Sequence, residues 1–264
     1  ETRRRWGGLR GRLPLVMIGS AILPYLIFSL PSGTFGWARL GLLAALAAAA
    51  SWWFRVMPWY PALDIGFLAL MAGVYLAKPF YWIYRPPVPQ LEIAVLGQLL
   101  WIRLGVLAVL EIRRFEGIGF GFIPSGREWL AGLKNFACFM PLGGALMYGL
   151  GFARLQPAAG WWWKAPVTFI GILWVVALAE ETFFRGMLQQ YLVRWLGAAA
   201  GVALTALAFG AAHLPFRQFP NWEFAALAAL AGLFYGVAFL EGRGVRAAMV
   251  THALTVAAWR TLFQ

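Results

Sequence analysis

Phe169-Ile170-Gly171-Ile172-Leu173-Trp174-Val175-Val176-Ala177-Leu178-Ala179 carries no charge, and it runs straight into Glu180-Glu181-Thr182-Phe183-Phe184-Arg185. The apolar run decides the fold class, because a helix that crosses a bilayer needs about 20 mostly apolar residues. The two carboxylates decide where to look for chemistry. On insertion scales a charged residue at membrane depth costs roughly 2.5–3.5 kcal/mol, and such residues are seldom idle.

Similar runs recur on both sides of this stretch. The chain has 264 residues, of which 62% are hydrophobic and 12% charged, with a mean hydropathy of +0.71. An average soluble domain is about 45–50% apolar and about 25% charged. The composition therefore predicts an integral membrane protein of the all-α class, a polytopic transmembrane helical bundle. Spans are read near 13–32, 37–54, 60–77, 91–112, 135–153, 165–186, 198–215, 222–240 and 245–263, giving eight or nine membrane segments, with one short segment re-entrant in the lower count. A transmembrane β-barrel would show short alternating segments, and these runs do not alternate. The net charge of +12 does not point to nucleic acid, since the basic residues flank apolar runs and form no single stripe.

Arg3, Arg4, Arg5, Arg10 and Arg12 form a basic N-terminal arm, and Arg113, Arg114, Arg127 and Lys134 lie in the longest polar connection. The positive-inside rule puts both in the cytoplasm. The first apolar run lacks a small-residue cleavage pattern and reads as an anchored helix, not a signal peptide. The Ala-, Arg- and Trp-rich composition suggests a bacterial cytoplasmic membrane. Trp52-Trp53 and Trp161-Trp162-Trp163 stand at span ends, where indole rings suit the headgroup layer; this reading is preferred to a pigment or quinone site. Tyr84-Arg85-Pro86-Pro87-Val88-Pro89 is a stiff connection. Cys138, the only cysteine, excludes an internal disulfide and sits among apolar neighbours that keep a thiol inert. Buried polar residues divide the chain functionally: residues 1–134 read as scaffold helices and 135–264 as the active core.

Three polar sites stand out in that core. In Glu180-Glu181-x-x-x-Arg185, Glu181 and Arg185 are four residues apart and share a helix face, so they can pair. Glu180 is rotated about 100° away and is left free to face a cavity as a general base. Phe209-Gly210-Ala211-Ala212-His213 leaves room for close helix packing and carries one histidine near the end of its span. Thr251-His252-Ala253-Leu254-Thr255 carries the other. Glu, His and His can activate a water and stabilise an oxyanion. They also match a His₂Glu zinc set in residue type, but no H-E-x-x-H spacing occurs, so no metal is expected, and neither zinc nor a bound pigment is needed. No G-x-S-x-G and no phosphate-binding loop is present. Gly117-Ile118-Gly119-Phe120-Gly121-Phe122 reads as a turn before a helix near Arg127–Lys134.

Glu180-Glu181-x-x-x-Arg185, then Phe209-x-x-x-His213, then His252 in the last span together resemble the CPBP family. That family unites type II CAAX prenyl proteases with bacteriocin-processing and Abi-like proteins. The resemblance covers roughly residues 135–263 and implies a glutamic-type intramembrane endopeptidase that needs no metal. It implies Glu180 as the base for water, Glu181 as its support with Arg185, His213 assisting at the water and His252 on the oxyanion side. The substrate implied is a membrane-embedded or lipidated peptide, a prenylated CAAX terminus being the best-known example. The sequence departs from the family at one point. Four residues after His252, where the family usually has Asn or a related polar residue, stands Val256. Thr255 and Thr251 are the neighbouring candidate donors.

Val256 motivates an alternative: a non-proteolytic subunit of the same fold, packed against other membrane subunits as scaffold or assembly factor, with lipid or pigment as a ligand. Depth raises a further expectation. With the spans above, Glu180 lies about 20 Å in from the outer face, whereas His213 falls near the outer side. A tilted, broken or re-entrant helix near 187–213 is then needed to bring them together.

Overall fold

The computed structural model describes residues 12–56, 61–88, 91, 93–216 and 218–263. Arg3, Arg4, Arg5, Arg10, Glu92 and Pro89 lie outside the described residues, and the reading of a cytoplasmic N-terminus lies there with them. Among the described residues every regular element is a helix, and one isolated bridge pairs Leu155 with Phe263. The helices are α1 (Leu13–Ser29), α2 (Trp37–Val56), α3 (Pro61–Ala77), α4 (Pro79–Ile83), α5 (Ala94–Arg113), α6 (Gly126–Gly149), α7 (Trp161–Leu196), α8 (Ala198–Ala212), α9 (Trp222–Gly242) and α10 (Val245–Leu262).

Each of the nine apolar runs is helical. Among the described residues five helices can cross a membrane by length and composition: α2, α5, α6, α7 and α9. Helices α1, α3 and α8 are apolar but shorter. At 1.5 Å per residue α8 spans about 22 Å, less than the roughly 30 Å of a hydrocarbon core. Helix α10 carries Arg246, His252 and Arg260, which lower its apolar character.

The chain divides into two compact units, Glu1–Phe115 and Glu116–Gln264. In the first, buried Asp64 accepts two hydrogen bonds from Arg113, each 2.7 Å long. Arg103 is exposed on α5 and donates to the Ser20 carbonyl and hydroxyl at 2.9 and 2.8 Å.

The second unit holds all the candidate site residues, and it begins before residue 135 because the loop ahead of α6 is part of its packing. Ser125 donates through its backbone N–H and its hydroxyl to Glu128 at 2.7 Å, the N-terminal box that starts α6. The same carboxylate accepts from Arg246 at 2.8 Å and ties α6 to α10. Ile118 accepts from the backbone N–H of Val245 at 2.9 Å. Gly119, at φ +61°, approaches Gly244 so closely that a Cβ there would lie 2.5 Å from the Gly244 Cα. The glycine-rich stretch is thus a packing turn. Helix α9 packs on α6, α8 and α10, and α10 runs along α6 and α7.

Helix α7 is the long element, with 36 residues and a length of roughly 50 Å. It contains two wider π-helical stretches, Ile172–Ala177 and Phe184–Gln189, on either side of Leu178–Phe183. Such stretches are frequent at functional sites. The helix ends at Gly197, whose φ +83° and ψ 167° reverse the chain into α8. At Gly201 the two helices touch: a Cβ there would meet the Val193 backbone nitrogen at 2.6 Å.

Candidate active site

The Gly197 turn explains how distant residues meet. Glu180 stands 17 residues before it and His213 stands 16 after it, so an antiparallel helix pair brings them to one level. The reversal lies within 187–213, the stretch where the sequence reading called for a tilted, broken or re-entrant helix. The sequence reading ended α7 at 186, because Gln189, Gln190 and Arg194 make the next stretch look polar; Gln189 is in fact buried against α9. The next turn works alike. Tyr235 lies eight residues before Arg243, the left-handed residue that ends α9, and His252 lies nine after it.

Glu181 and Arg185 are fully buried, and Arg185 Nη1 stands 3.0 Å from both Glu181 oxygens. Arg185 also donates to the Gly232 carbonyl at 3.0 Å. Its guanidinium lies 4.5 Å from the Phe209 ring, 5.1 Å from Tyr235 and 5.8 Å from Phe184, contacts worth up to about 2 kcal/mol for a desolvated cation. One helical turn on, Gln189 donates to the Gly236 carbonyl at 3.0 Å. A Cβ on Gly236 would sit 2.6 Å from the Gln189 oxygen. Gly232-x-x-x-Gly236 on α9 is therefore the bare strip that admits both α7 side chains.

His252 is the residue the site shares. Its Nδ1–H donates to Glu181 at 2.8 Å, and its Nε2 stands 4.0 Å from Glu180 Oε2. Its ring stacks on Tyr235 at 4.8 Å and 12°, and meets the Phe209 edge at 5.9 Å. Glu180 is 30% exposed as a side chain, yet its Oε2 is buried without a hydrogen-bond partner.

A cleft with a water-accessible volume of about 80 Å³ opens beside this centre. One water needs roughly 10–15 Å³ by that measure, so several fit. His213, His252, Tyr235, Thr255 and Val256 line it, among mostly apolar neighbours. Glu180 does not line this cleft; His252 is the link between the cleft and the carboxylates. His213 donates Nδ1–H to the Phe209 carbonyl at 2.8 Å, which leaves Nε2 as an acceptor in the neutral ring. Phe209 touches the His213 ring at 4.5 Å and so wedges between both histidines.

Two candidate donors are engaged elsewhere. Buried Thr251 gives its hydroxyl hydrogen to the Gly132 and Ala247 carbonyls, at 3.1 and 3.2 Å, in the contact between α10 and α6. Thr255 donates to the Thr251 carbonyl at 2.9 Å. Cys138 is exposed on α6, and its neighbours Phe139 and Met140 are the residues that reach the cleft. Among the described residues no group of three or more His, Cys, Asp or Glu is arranged to hold a metal ion. Sequence reasoning missed Tyr235, Gln189 and the Gly232/Gly236 strip; the glycine spacing was the available signal.

Residues 161–258 match the family model described as type II CAAX prenyl endopeptidase Rce1-like. The match starts with α7 and ends beyond His252, so the resemblance to the CPBP family holds over the stretch that builds the site. At the level of the family this supports a membrane protease. No curated protein and no solved structure matches the chain.

Proposed function

We propose that the chain is an intramembrane endopeptidase of the glutamic type, hydrolysing a peptide bond of a membrane-associated substrate. The observation that carries the reading is the placement of one ring between two carboxylates: His252 is held by Glu181 at 2.8 Å and faces an unpartnered Glu180 oxygen at 4.0 Å. A polar separation of that size is suited to a bridging water.

In this reading Glu180 takes a proton from the water, and the water oxygen bonds to the scissile carbonyl carbon. The carbonyl electrons move to oxygen. In the reacting form with hydrogens on both ring nitrogens, His252 keeps Nδ1–H on Glu181 and offers Nε2–H to that oxyanion, a type of stabilisation that is usually the largest single term. Collapse breaks the C–N bond, and Glu180 returns its proton to the departing nitrogen. His213 orients the water from the cleft side through Nε2. Arg185 holds the Glu181 carboxylate in place. No metal or other cofactor takes part.

The substrate class follows the matched family's description: a membrane-embedded or lipidated peptide, with a prenylated C-terminal CAAX peptide as the first choice. The apolar cleft suits such a chain. The nine apolar runs read as eight or nine membrane segments, with a cytoplasmic N-terminus in a bacterial cytoplasmic membrane. Protein reconstituted in liposomes and offered a farnesylated CAAX peptide tests the reading. Wild type should cleave it, while Glu180→Ala and Glu180→Gln should lose cleavage with an unchanged unfolding temperature. Cleavage retained in both variants would remove Glu180 as the base.

Val256 on the cleft wall favours a second reading, a non-proteolytic subunit. A stoichiometric complex with other membrane proteins, inactive on every peptide offered, would favour that reading instead.

A further inference from the structure

Val256 puts an apolar side chain on the cleft wall, four residues past His252, where the family pattern has a polar one. Besides the two histidines, the side chains lining the cleft that carry a polar hydrogen are Tyr235, Thr255 and Trp259. Trp259 lies seven residues past His252, about 10 Å along the helix. Thr255 has already given its hydrogen to the Thr251 carbonyl. Thr251 points at α6.

Tyr235 is differently placed. It is only 2% exposed. Its ring is fixed flat against His252 and lies 5.1 Å from the Arg185 guanidinium. Its side chain lines the cleft together with His252 and Val256.

We propose that the Tyr235 hydroxyl is the second oxyanion donor of this chain, filling the role that Val256 cannot. The proposal rests on the peptidase reading of the site. When negative charge develops beside His252, rotation about the C–O bond turns the hydroxyl hydrogen to the oxyanion, and the ring need not move. Hydrogen bonds to an ionised acceptor are roughly twice as strong as neutral ones, so this orientation is favoured. Tyr235 keeps its proton throughout. His252 and Tyr235, stacked side by side, then present Nε2–H and O–H to the same oxygen.

Tyr235→Phe isolates the hydroxyl, because the ring still packs on His252 and Arg185. In liposomes with the farnesylated CAAX peptide, Y235F should lower kcat by about 10²–10³-fold, the usual effect of losing one oxyanion donor, with KM within about threefold. Val256→Asn in the Y235F background supplies an amide donor and should regain at least about tenfold of the lost rate. If wild type cleaves and Y235F keeps kcat within about twofold, Tyr235 is not the donor and the peptidase reading survives. If wild type leaves the peptide uncut, the peptidase reading and the proposal fall together.

Discussion

Glu181 is the residue on which the other site side chains depend, although the proposed chemistry belongs to its neighbour. It accepts from His252 and neutralises Arg185, and both it and Arg185 are fully buried. Removing one partner of a buried ion pair leaves the other charge uncompensated, at a cost of about 3–5 kcal/mol. Glu181→Ala should therefore lower the unfolding temperature in detergent strongly, whereas Glu180→Gln should leave it nearly unchanged, because Glu180 makes no hydrogen bond through Oε2. Equal shifts for the two variants would show that the pair does not divide into a support and a working group. At this scale the sequence was informative. The i,i+4 relation of Glu181 and Arg185 follows from helix periodicity alone, and two histidines in apolar runs are conspicuous. Tyr235 was invisible, because an aromatic ring in a span is ordinary until its neighbours are known. Thr251 was misread for the opposite reason. Adjacency to His252 suggested a donor, but about 100° of helix rotation turns it toward Gly132.

Between elements, the decisive feature is the Gly197 reversal. Its φ +83° and ψ 167° are open essentially to glycine only, and another residue there costs about 1–3 kcal/mol. Gly197→Ala should slip α8 against α7 and carry His213 off the level of Glu180. Cleavage should fall by an order of magnitude or more if positioning supplies even a few kcal/mol of the barrier, with α-helical content unchanged by circular dichroism. Normal turnover in G197A would mean that the turn does not set the register. A second element-scale test lies on α9. Gly236→Ala would place a Cβ 2.6 Å from the Gln189 side-chain oxygen and should destabilise the α7–α9 contact by about 1–3 kcal/mol, as overpacking does. The helices themselves were legible, since every apolar run proved helical. Their ends were not. Three polar residues within 189–194 hid ten further residues of α7, and with them the place of the reversal at Gly197.

For the whole molecule, the outward faces are apolar. Leu130, Leu142, Val167 and Leu207 are 71%, 54%, 63% and 62% exposed, a burden that a bilayer removes and water does not. Cys138 sits near the middle of α6 and is also exposed. A membrane-impermeant maleimide should fail to label it in open membrane fragments and should label it after denaturation in detergent. Labelling of native fragments would place that face of α6 in water. Five helices are long enough to span by composition. The shorter α8 and the more polar α10 are the ones that carry His213 and His252, so the site is built where apolar length was given up.

The most direct test of the central claim is the fate of the water oxygen. In a single turnover in heavy-oxygen water, with wild-type protein in excess over the farnesylated CAAX peptide, water activated by Glu180 puts the heavy atom into the new carboxyl terminus on the first cleavage. The account predicts that label, and its absence from Glu180. A first product with light oxygen and a labelled Glu180 would mean that the carboxylate attacked the carbonyl itself, and would contradict it.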